Sequence, residues 1–539
     1  MKKRLRLIAG VMLLCMLFGI AACDKNTADP SPDTTDAPTT EAMTDPIETG
    51  ADATDSGSES TTPETETQAE TEGLQIEITP ESPTSSKVIT FYQNSANDVL
   101  LGGKYCAYEL VKDGDRTAIR LTSEGERVRD PNLTVDYATY MQLLGLDAMA
   151  WDDCAYAVVT LKTENVSGTE FAVTIYTEVN GSSTKCKGTA NYVRNAKDWQ
   201  TVIVPFSKSA KEGAVLTSLR IDFADTQKGG ETVYVKSIAL ASSKAEVLEL
   251  SGKELIVPLT TTLTIPGLSR EYTLLQVTDL HSSAYSNEEA KAMKADRRNY
   301  IAGRRAAFTD GFLLSEERMP YMFGYADTIN ADLLMLTGDI IDFPSELNMS
   351  MMYDNIKALK TPVLFTLGNH DWCFADDYLT PSAAATYIPA FNKMTVGEPA
   401  DDMFVRYVEY DEFMIVAVDN SADYVTAETV DKFLALCEKG KPIILMLHVP
   451  LHVDSLVADC TKVWSKDLGM GGDTGVCAWS PDVQRFYHAV AEDENSPVVA
   501  VFAGHVHFNH EDALPNGVMQ YITSTAYTGD CRVITVKGE

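Results

Sequence analysis

Five short stretches of this chain concentrate residue types that bind metal ions. They are Asp279-Leu280-His281, Gly338-Asp339-Ile340-Ile341-Asp342, Gly368-Asn369-His370-Asp371, a lone His448, and Gly504-His505-Val506-His507. Imidazole, carboxylate and amide oxygen suit zinc, manganese and iron. Asp279 and His281 are two residues apart, as are His505 and His507, so each pair can project to one side of an extended segment. Gly338, Gly368 and Gly504 permit tight turns and close backbone approach just before a ligand. A mononuclear site needs three or four protein ligands. Asp279, His281, Asp339, Asn369, His448, His505 and His507 exceed that, which predicts two ions, with one carboxylate able to bridge them.

Any one of these histidines could equally be structural. Jointly that reading fails, because the chain has only eight histidines and five lie inside these motifs. His452, His488 and His510 are read as structural.

Each motif must be delivered by an element, and each follows an apolar run. The runs are 274–277, 333–336, 363–365, 443–447 and 498–502. Helical patterns lie between several of them, at 321–329, 351–359 and 427–438. Buried strands covered by helices give such runs, so 271–539 is expected to be an α/β domain. Ligands in α/β sheets bind beyond the carboxyl ends of the strands, which is where these motifs fall.

In order, DxH, GDxxD, GNHD, a lone His and GHxH make the chain similar to the calcineurin-like metallophosphoesterase superfamily, over about residues 271–539. The resemblance implies two mixed β-sheets sandwiched by helices and two divalent ions of undetermined identity (Mn, Fe, Zn or similar). It implies one ion on Asp279, His281, Asp339 and His507, and the other on Asp339, Asn369, His448 and His505. Asp339 would bridge. His370 would face the phosphate and the leaving oxygen, Asp371 would orient His370, and Asp342 would support the ligands from behind. Purple acid phosphatases, which are similar, carry a tyrosine iron ligand at the end of the second motif. Here Ile340, Ile341 and Asp342 stand there, so a ferric tyrosinate site is not expected.

The expected chemistry follows from charge. Two cations about 3.5–4 Å apart acidify a bridging water, and the resulting hydroxide would attack phosphorus. Protonated His370 would donate to the leaving alkoxide, a form that Asp371 would favour. The expected function is metal-dependent hydrolysis of phosphate mono- or diesters. The alternatives are a surface glycan-binding lipoprotein with an inert α/β part, and a nucleotidase or nucleotide-sugar pyrophosphatase.

Some residues outside the motifs bear on the site. The stretch 283–319 carries Arg297, Arg298, Arg304 and Arg305. It reads as a solvated helix face, with a lid or anion-binding flank as the alternative. Segment 454–480, with Trp464, Gly471-Gly472 and Trp479, reads as a loop bordering the site. Trp372 is open to stacking or packing, and Thr525, Tyr527 and Gly529 are expected near the pocket.

Upstream, 73–245 shows short alternating runs with turn residues between them, the pattern of an antiparallel sandwich. It resembles jelly-roll carbohydrate-binding and galactose-binding-like modules, which implies a glycan contact. Trp151, Trp199 and several tyrosines are nonetheless expected to fill the sandwich core. Residues 246–270 read as a linker that adds a strand.

The N-terminus sets location. Lys2, Lys3, Arg4 and Arg6 precede a short apolar run ending in Ile20-Ala21-Ala22-Cys23. The run is too short to span a membrane and reads as a signal peptide over 1–22. Its ending resembles a bacterial lipobox, which implies lipidation at Cys23 and anchoring to the outer face of the cytoplasmic membrane. Residues 24–72 hold fourteen Asp or Glu against one Lys, so about −13 of the net −34 lies in a Thr- and Pro-rich tether over 23–72. Such a composition cannot bury enough apolar surface to offset ordering entropy. The rest of the charge is still acidic, which argues against non-specific nucleic-acid binding. An exported chain can form disulfides. Cys460 and Cys477 could close a loop, though pairing is not readable from sequence.

Overall fold

The structure, a computed structural model, describes residues 88–90 and 101–539, apart from 114–115, 126–129, 144, 148, 151–153, 208–212, 224–228, 310–311, 375–376, 423–424 and 473–478. The signal segment, Cys23, the tether, Trp151 and Cys477 lie outside the described residues.

The first region is built of antiparallel strands in two sheets. Its strands are β1 Val88–Thr90, β2 Leu101–Lys104, β3 Cys106–Asp113, β4 Arg116–Ser123, β5 Asn132–Asp136, β6 Tyr156–Glu164, β7 Glu170–Val179, β8 Ser182–Asn191, β9 Gln200–Pro205, β10 Val215–Asp222 and β11 Thr232–Ala241. One sheet runs β3-β4-β11-β6-β9, with β1 also on β11, and the other runs β2-β5-β10-β7-β8. Period-2 alternation explains the packing. In β6, Ala157, Val159 and Leu161 point into the core while Thr160 and Lys162 point out. Leu121, Val235, Phe171 and Ile221 meet them in one buried cluster. Each such side chain contributes roughly 1.5–3 kcal/mol of burial.

The aromatic expectation holds for Tyr137 and Tyr140, which are core residues. It fails for Trp199. That ring lies on the outer face of the β6–β9–β11 side, with Lys162 Nζ 5.2 Å and Lys236 Nζ 4.9 Å from its centroid. Outward-facing lysines on neighbouring strands satisfy the ring by cation–π contact, so burial is not required.

The second region has two mixed sheets packed face to face. Its strands are β12 Val257–Thr264, β13 Tyr272–Val277, β14 Leu333–Thr337, β15 Val363–Thr366, β16 Val405–Glu409, β17 Met414–Val418, β18 Ile443–Met446, β19 Val498–Ala503, β20 His510–Ala513, β21 Met519–Ile522 and β22 Asp530–Lys537. The sheets run β12-β22-β13-β14-β15 and β16-β17-β18-β19-β21-β20. The segment 246–270 therefore supplies β12, parallel to β22. Leu274, Met335, Ile415, Ile444, Phe502 and Ile534 interdigitate between the sheets. Helices Ser315–Thr328, Glu346–Ala358 and Pro381–Phe391 cover the outer face of the first sheet. Helices Ala427–Cys437, Asp454–Trp464 and Pro481–Tyr487 cover the second.

Helix Asp454–Trp464 corrects the loop expected at 454–480. Leu456, Val457, Cys460, Val463 and Trp464 recur at helical spacing, and Leu456 and Cys460 are buried. Among the described residues no helix is long and apolar enough to cross a membrane.

The two regions meet through an apolar patch. Val158, Ile203, Ala239 and Ala241, on the outer face of the sandwich, pack on Val247, Phe312 and Leu313. Lys244 pairs with Glu317 beside them.

Candidate metal centre

Parallel pairing of β13 with β14 and β14 with β15, and of β18 with β19, brings five strand ends to one rim. The motifs leave those ends. Asp279, His281, Asp339, His505 and His507 all adopt left-handed backbone, with φ of 51°, 50°, 52°, 69° and 59°. Asp and His tolerate that region better than most residues, yet each such position costs about 1–3 kcal/mol. Cross-loop hydrogen bonds hold them there. Asp279 N–H donates to Gly338 O at 3.0 Å and His281 N–H to Asp339 O at 2.9 Å. Glycine is needed where loops touch. A Cβ at Gly504 would strike Thr278 Oγ1 and Asp279 Oδ2, and one at Gly368 would strike Asp339.

The seven candidate ligands converge. His507 Nε2 is 3.2 Å from Asp279 Oδ1 and 3.0 Å from His281 Nε2, which is 3.7 Å from Asp339 Oδ2. On the other side, His448 Nε2 is 3.3 Å from Asp339 Oδ2, 3.1 Å from Asn369 Oδ1 and 3.2 Å from His505 Nδ1. Three overlapping groups of potential ligand atoms result among the described residues: Asp279–His281–His507, Asp339–His448–His505, and His281–Asp339–His370, which shares a member with each of the others. Among the described residues, Asp279 Oδ1 is buried without a hydrogen bond of good geometry. Buried orphans of this kind are costly. Two imidazole nitrogens 3.0 Å apart, with lone pairs converging, repel unless a cation or proton lies between them. Donor set, convergence and the orphaned Asp279 oxygen fit two cations.

The opposite edges of the ligands are fixed. His448 Nδ1 meets Thr337 O at 2.9 Å and His281 Nδ1 meets Asp342 Oδ1 at 3.1 Å, which leaves each Nε2 facing the centre. Asn369 Nδ2 donates to Tyr378 OH at 2.9 Å, so its oxygen faces inward. Such outer contacts orient ligands.

The electrostatics suit cations. Burial opposes the charge on Asp339, but facing histidines outweigh it and keep the carboxyl below the usual range. Burial likewise opposes charge on Asp342, and Arg304 with His281 overcomes it. Burial together with the charge of His448 pushes His505 down to about 3.

Two expectations need correction. Asp371 does not orient His370. Its buried carboxylate accepts the backbone N–H groups of Gly368, Asp339, Ile340 and Ile341 at 2.7, 2.8, 2.9 and 3.0 Å. Those amides sit at the turn ends of two motif loops and need acceptors away from water. His370 instead lies 3.3 Å from Asp342 Oδ1 and 3.4 Å from Arg304 Nη2. Burial and the adjacent Arg304 push His370 down to about 4. The second correction concerns 283–319. Arg304, on helix Ala295–Ala307, faces the site rather than solvent, forking onto Asp342 Oδ2 and Oδ1 at 2.7 and 2.6 Å.

The surroundings complete the site. Phe308 stacks on His281, with centroids 4.2 Å apart, and Tyr527 packs 5.2 Å from Phe308. Trp464 stands edge-on to His507 at 5.5 Å and donates to Val506 O. Trp372 is buried, with its Nε1–H on Ser421, which is packing. His452, His488 and His510 pair with Asp467, Glu492 and Asp459, away from the cluster. Sequence reasoning missed Tyr378 and Phe308. Neither lies in a motif, and only helix geometry and a loop bring them in.

Residues 272–509 match the calcineurin-like phosphoesterase family, which uses a dinuclear divalent metal centre. Among solved structures, the chain is similar to a dimetal phosphatase from Danio rerio, at 11% identity and TM-score 0.32, covering 48% of this chain and 88% of that one. It is also similar to a family 11 carbohydrate-binding module from Clostridium thermocellum, at 13% identity and TM-score 0.21, covering 29% and 95%. A family 30 carbohydrate-binding module gives 16% identity and TM-score 0.20, covering 26% and 91%. No curated protein matches the chain significantly.

Proposed function

Because residues 272–509 form a calcineurin-like phosphoesterase domain, and thus a metal-dependent phosphoesterase, we propose that this protein hydrolyses phosphate mono- or diesters at the cell surface. Asp279, His281, Asp339 and His507 hold one divalent ion in this reading, and Asp339, Asn369, His448 and His505 hold the other. The observation that carries it is the set of overlapping ligand groups around Asp339, with Asp279 Oδ1, among the described residues, left without a hydrogen bond of good geometry.

Bound divalent ions would supply positive charge against phosphoryl oxygens and acidify water. The remaining tasks fall to side chains of this chain. His370, partly exposed beside the ligands, hydrogen-bonds a phosphoryl oxygen or the leaving oxygen. A neutral imidazole still donates from one nitrogen, so this role needs no imidazolium. Asp342 holds the far edge of His281 with its carboxylate and Nδ1 of His370 with its backbone carbonyl, and Phe308, Tyr527 and Trp464 wall the centre.

The surface location rests on the sequence alone, through the basic head, the short apolar run and Cys23. The limits 73–245 for the sandwich, 246–270 for the linker and 271–539 for the catalytic domain belong to the same proposal, as does a glycan contact through the sandwich.

The test is turnover of p-nitrophenyl phosphate and bis-p-nitrophenyl phosphate with added manganese, against chelator-treated protein. Metal-dependent release of nitrophenol supports the reading. Silence on both esters by protein shown to carry metal would sink it. A Cys23→Ala variant that stays in the membrane fraction would overturn the anchoring.

A further inference from the structure

The insertion between the first two motifs brings a cation to the edge of the metal centre that no motif supplies. Arg304, in the last turn of helix Ala295–Ala307, is mostly buried, with 15% of its side chain exposed. Its guanidinium forks onto Asp342, Nε to Oδ2 at 2.7 Å and Nη2 to Oδ1 at 2.6 Å. The fork matches a carboxylate plane, which a lysine cannot do. The same Nη2 lies 3.4 Å from both Nδ1 and Nε2 of His370. Equal distance to both nitrogens places it across the ring rather than along one lone pair. The guanidinium carbon is also 4.8 Å from the Phe308 centroid, and Phe308 stacks on His281.

These contacts make one unit. The Asp342 carboxylate meets His281 Nδ1 at 3.1 Å, while His370 Nδ1 meets the Asp342 backbone carbonyl at 3.3 Å and lies the same distance from its Oδ1, so this one residue stands behind both imidazoles. A carboxylate alone can rotate about its last bond. A bidentate guanidinium removes that freedom. Phe308 closes the other face of His281. Phe312 and Leu313, beyond the end of that helix in the chain, pack against the sandwich.

We infer that Arg304 is a positioning residue of the phosphoesterase site, locking the Asp342 carboxylate behind His281 and packing directly on His370, so that both imidazoles keep their orientations. The inference rests on the phosphoesterase reading for its kinetic consequence, but not for the clamp itself. It also separates Arg304 from its neighbour Arg298, which is exposed and donates to Ala290 O.

The experiment compares wild type with R304A, R304K and R298A in the full chain. It measures kcat and KM for bis-p-nitrophenyl phosphate with manganese, metal content, Tm, and carbethoxylation of His370 by diethyl pyrocarbonate, read by peptide mass spectrometry. R304A is expected to lose about 10–100-fold in kcat. Its KM should stay within about threefold of wild type, since ground-state binding is not what is removed. Metal content at saturating manganese should hold, while Tm should fall, because Asp342 loses the guanidinium that offsets its burial. Free guanidinium at low concentration should restore part of kcat to R304A, and R304K should recover little. Labelling of His370 should rise severalfold in R304A, and R298A should match wild type in every readout.

Wild-type kcat together with wild-type labelling in R304A would overturn the clamp. So would a kcat loss that merely follows metal loss and resists guanidinium. If wild type itself is silent on the ester, the phosphoesterase reading falls. The labelling still decides the clamp, and unchanged labelling in R304A overturns it.

Discussion

Asp371 Oδ2 accepts the backbone N–H of Asp339 at 2.8 Å, so a side chain of the third motif holds the backbone of the second. With Gly368, Ile340 and Ile341 on the same carboxylate, it ties together the two loops that present Asp339 and Asn369.

Asp371→Ala leaves those four amides without their acceptor. The expected cost is about 3 kcal/mol or more, because each unsatisfied buried amide costs about 1–3 kcal/mol and the penalties overlap. Calorimetry should show a lower Tm together with loss of metal and of activity. A variant with native Tm and reduced kcat alone would instead return Asp371 to a role at His370.

Asp339 stands between both ligand groups. Asp339→Asn keeps the shape but removes the charge, and both ions should bind more weakly. Metal analysis should find less than the wild-type content, with activity down at least about 100-fold. Full occupancy of both sites in this variant would contradict a bridging role.

His370 converges with His281 and Asp339, but it is absent from the groups that contain His507 and His448. His370→Ala should keep its metal and lose about 10²–10⁴-fold in kcat, the usual range for one positioned proton or hydrogen-bond donor. Unchanged turnover in a metal-replete variant would remove His370 from the chemistry.

Tyr378 is 38% exposed, yet its hydroxyl receives the Asn369 amide. Tyr378→Phe frees Asn369 to turn its NH2 group inward, where it cannot ligate. A loss of about tenfold in metal affinity, with Tm unchanged, is expected. Isothermal titration with manganese reads it directly, and native affinity would show that the loop alone fixes the amide.

The sequence by itself determined the candidate ligand set and its order along the chain. Residue types are local, the five motifs stand directly after apolar strand-like runs, and strand ends at one rim are what a parallel sheet must produce. It also determined the sandwich character of the first region, since alternation with period two is legible in β6 and β7.

Only the tertiary structure decided what stands behind the ligands. The partner of His370 could not be read from adjacency, because Asp371 follows it in the chain but turns to backbone amides, whereas Asp342 and Arg304 reach it from 28 and 66 residues away. The left-handed backbone at Asp279, His281, Asp339, His505 and His507 was equally hidden, because contacts between loops hold it and no local propensity asks for it. A sequence states which groups a strand end delivers. Which groups then press against them depends on how helices and loops pack across the rim.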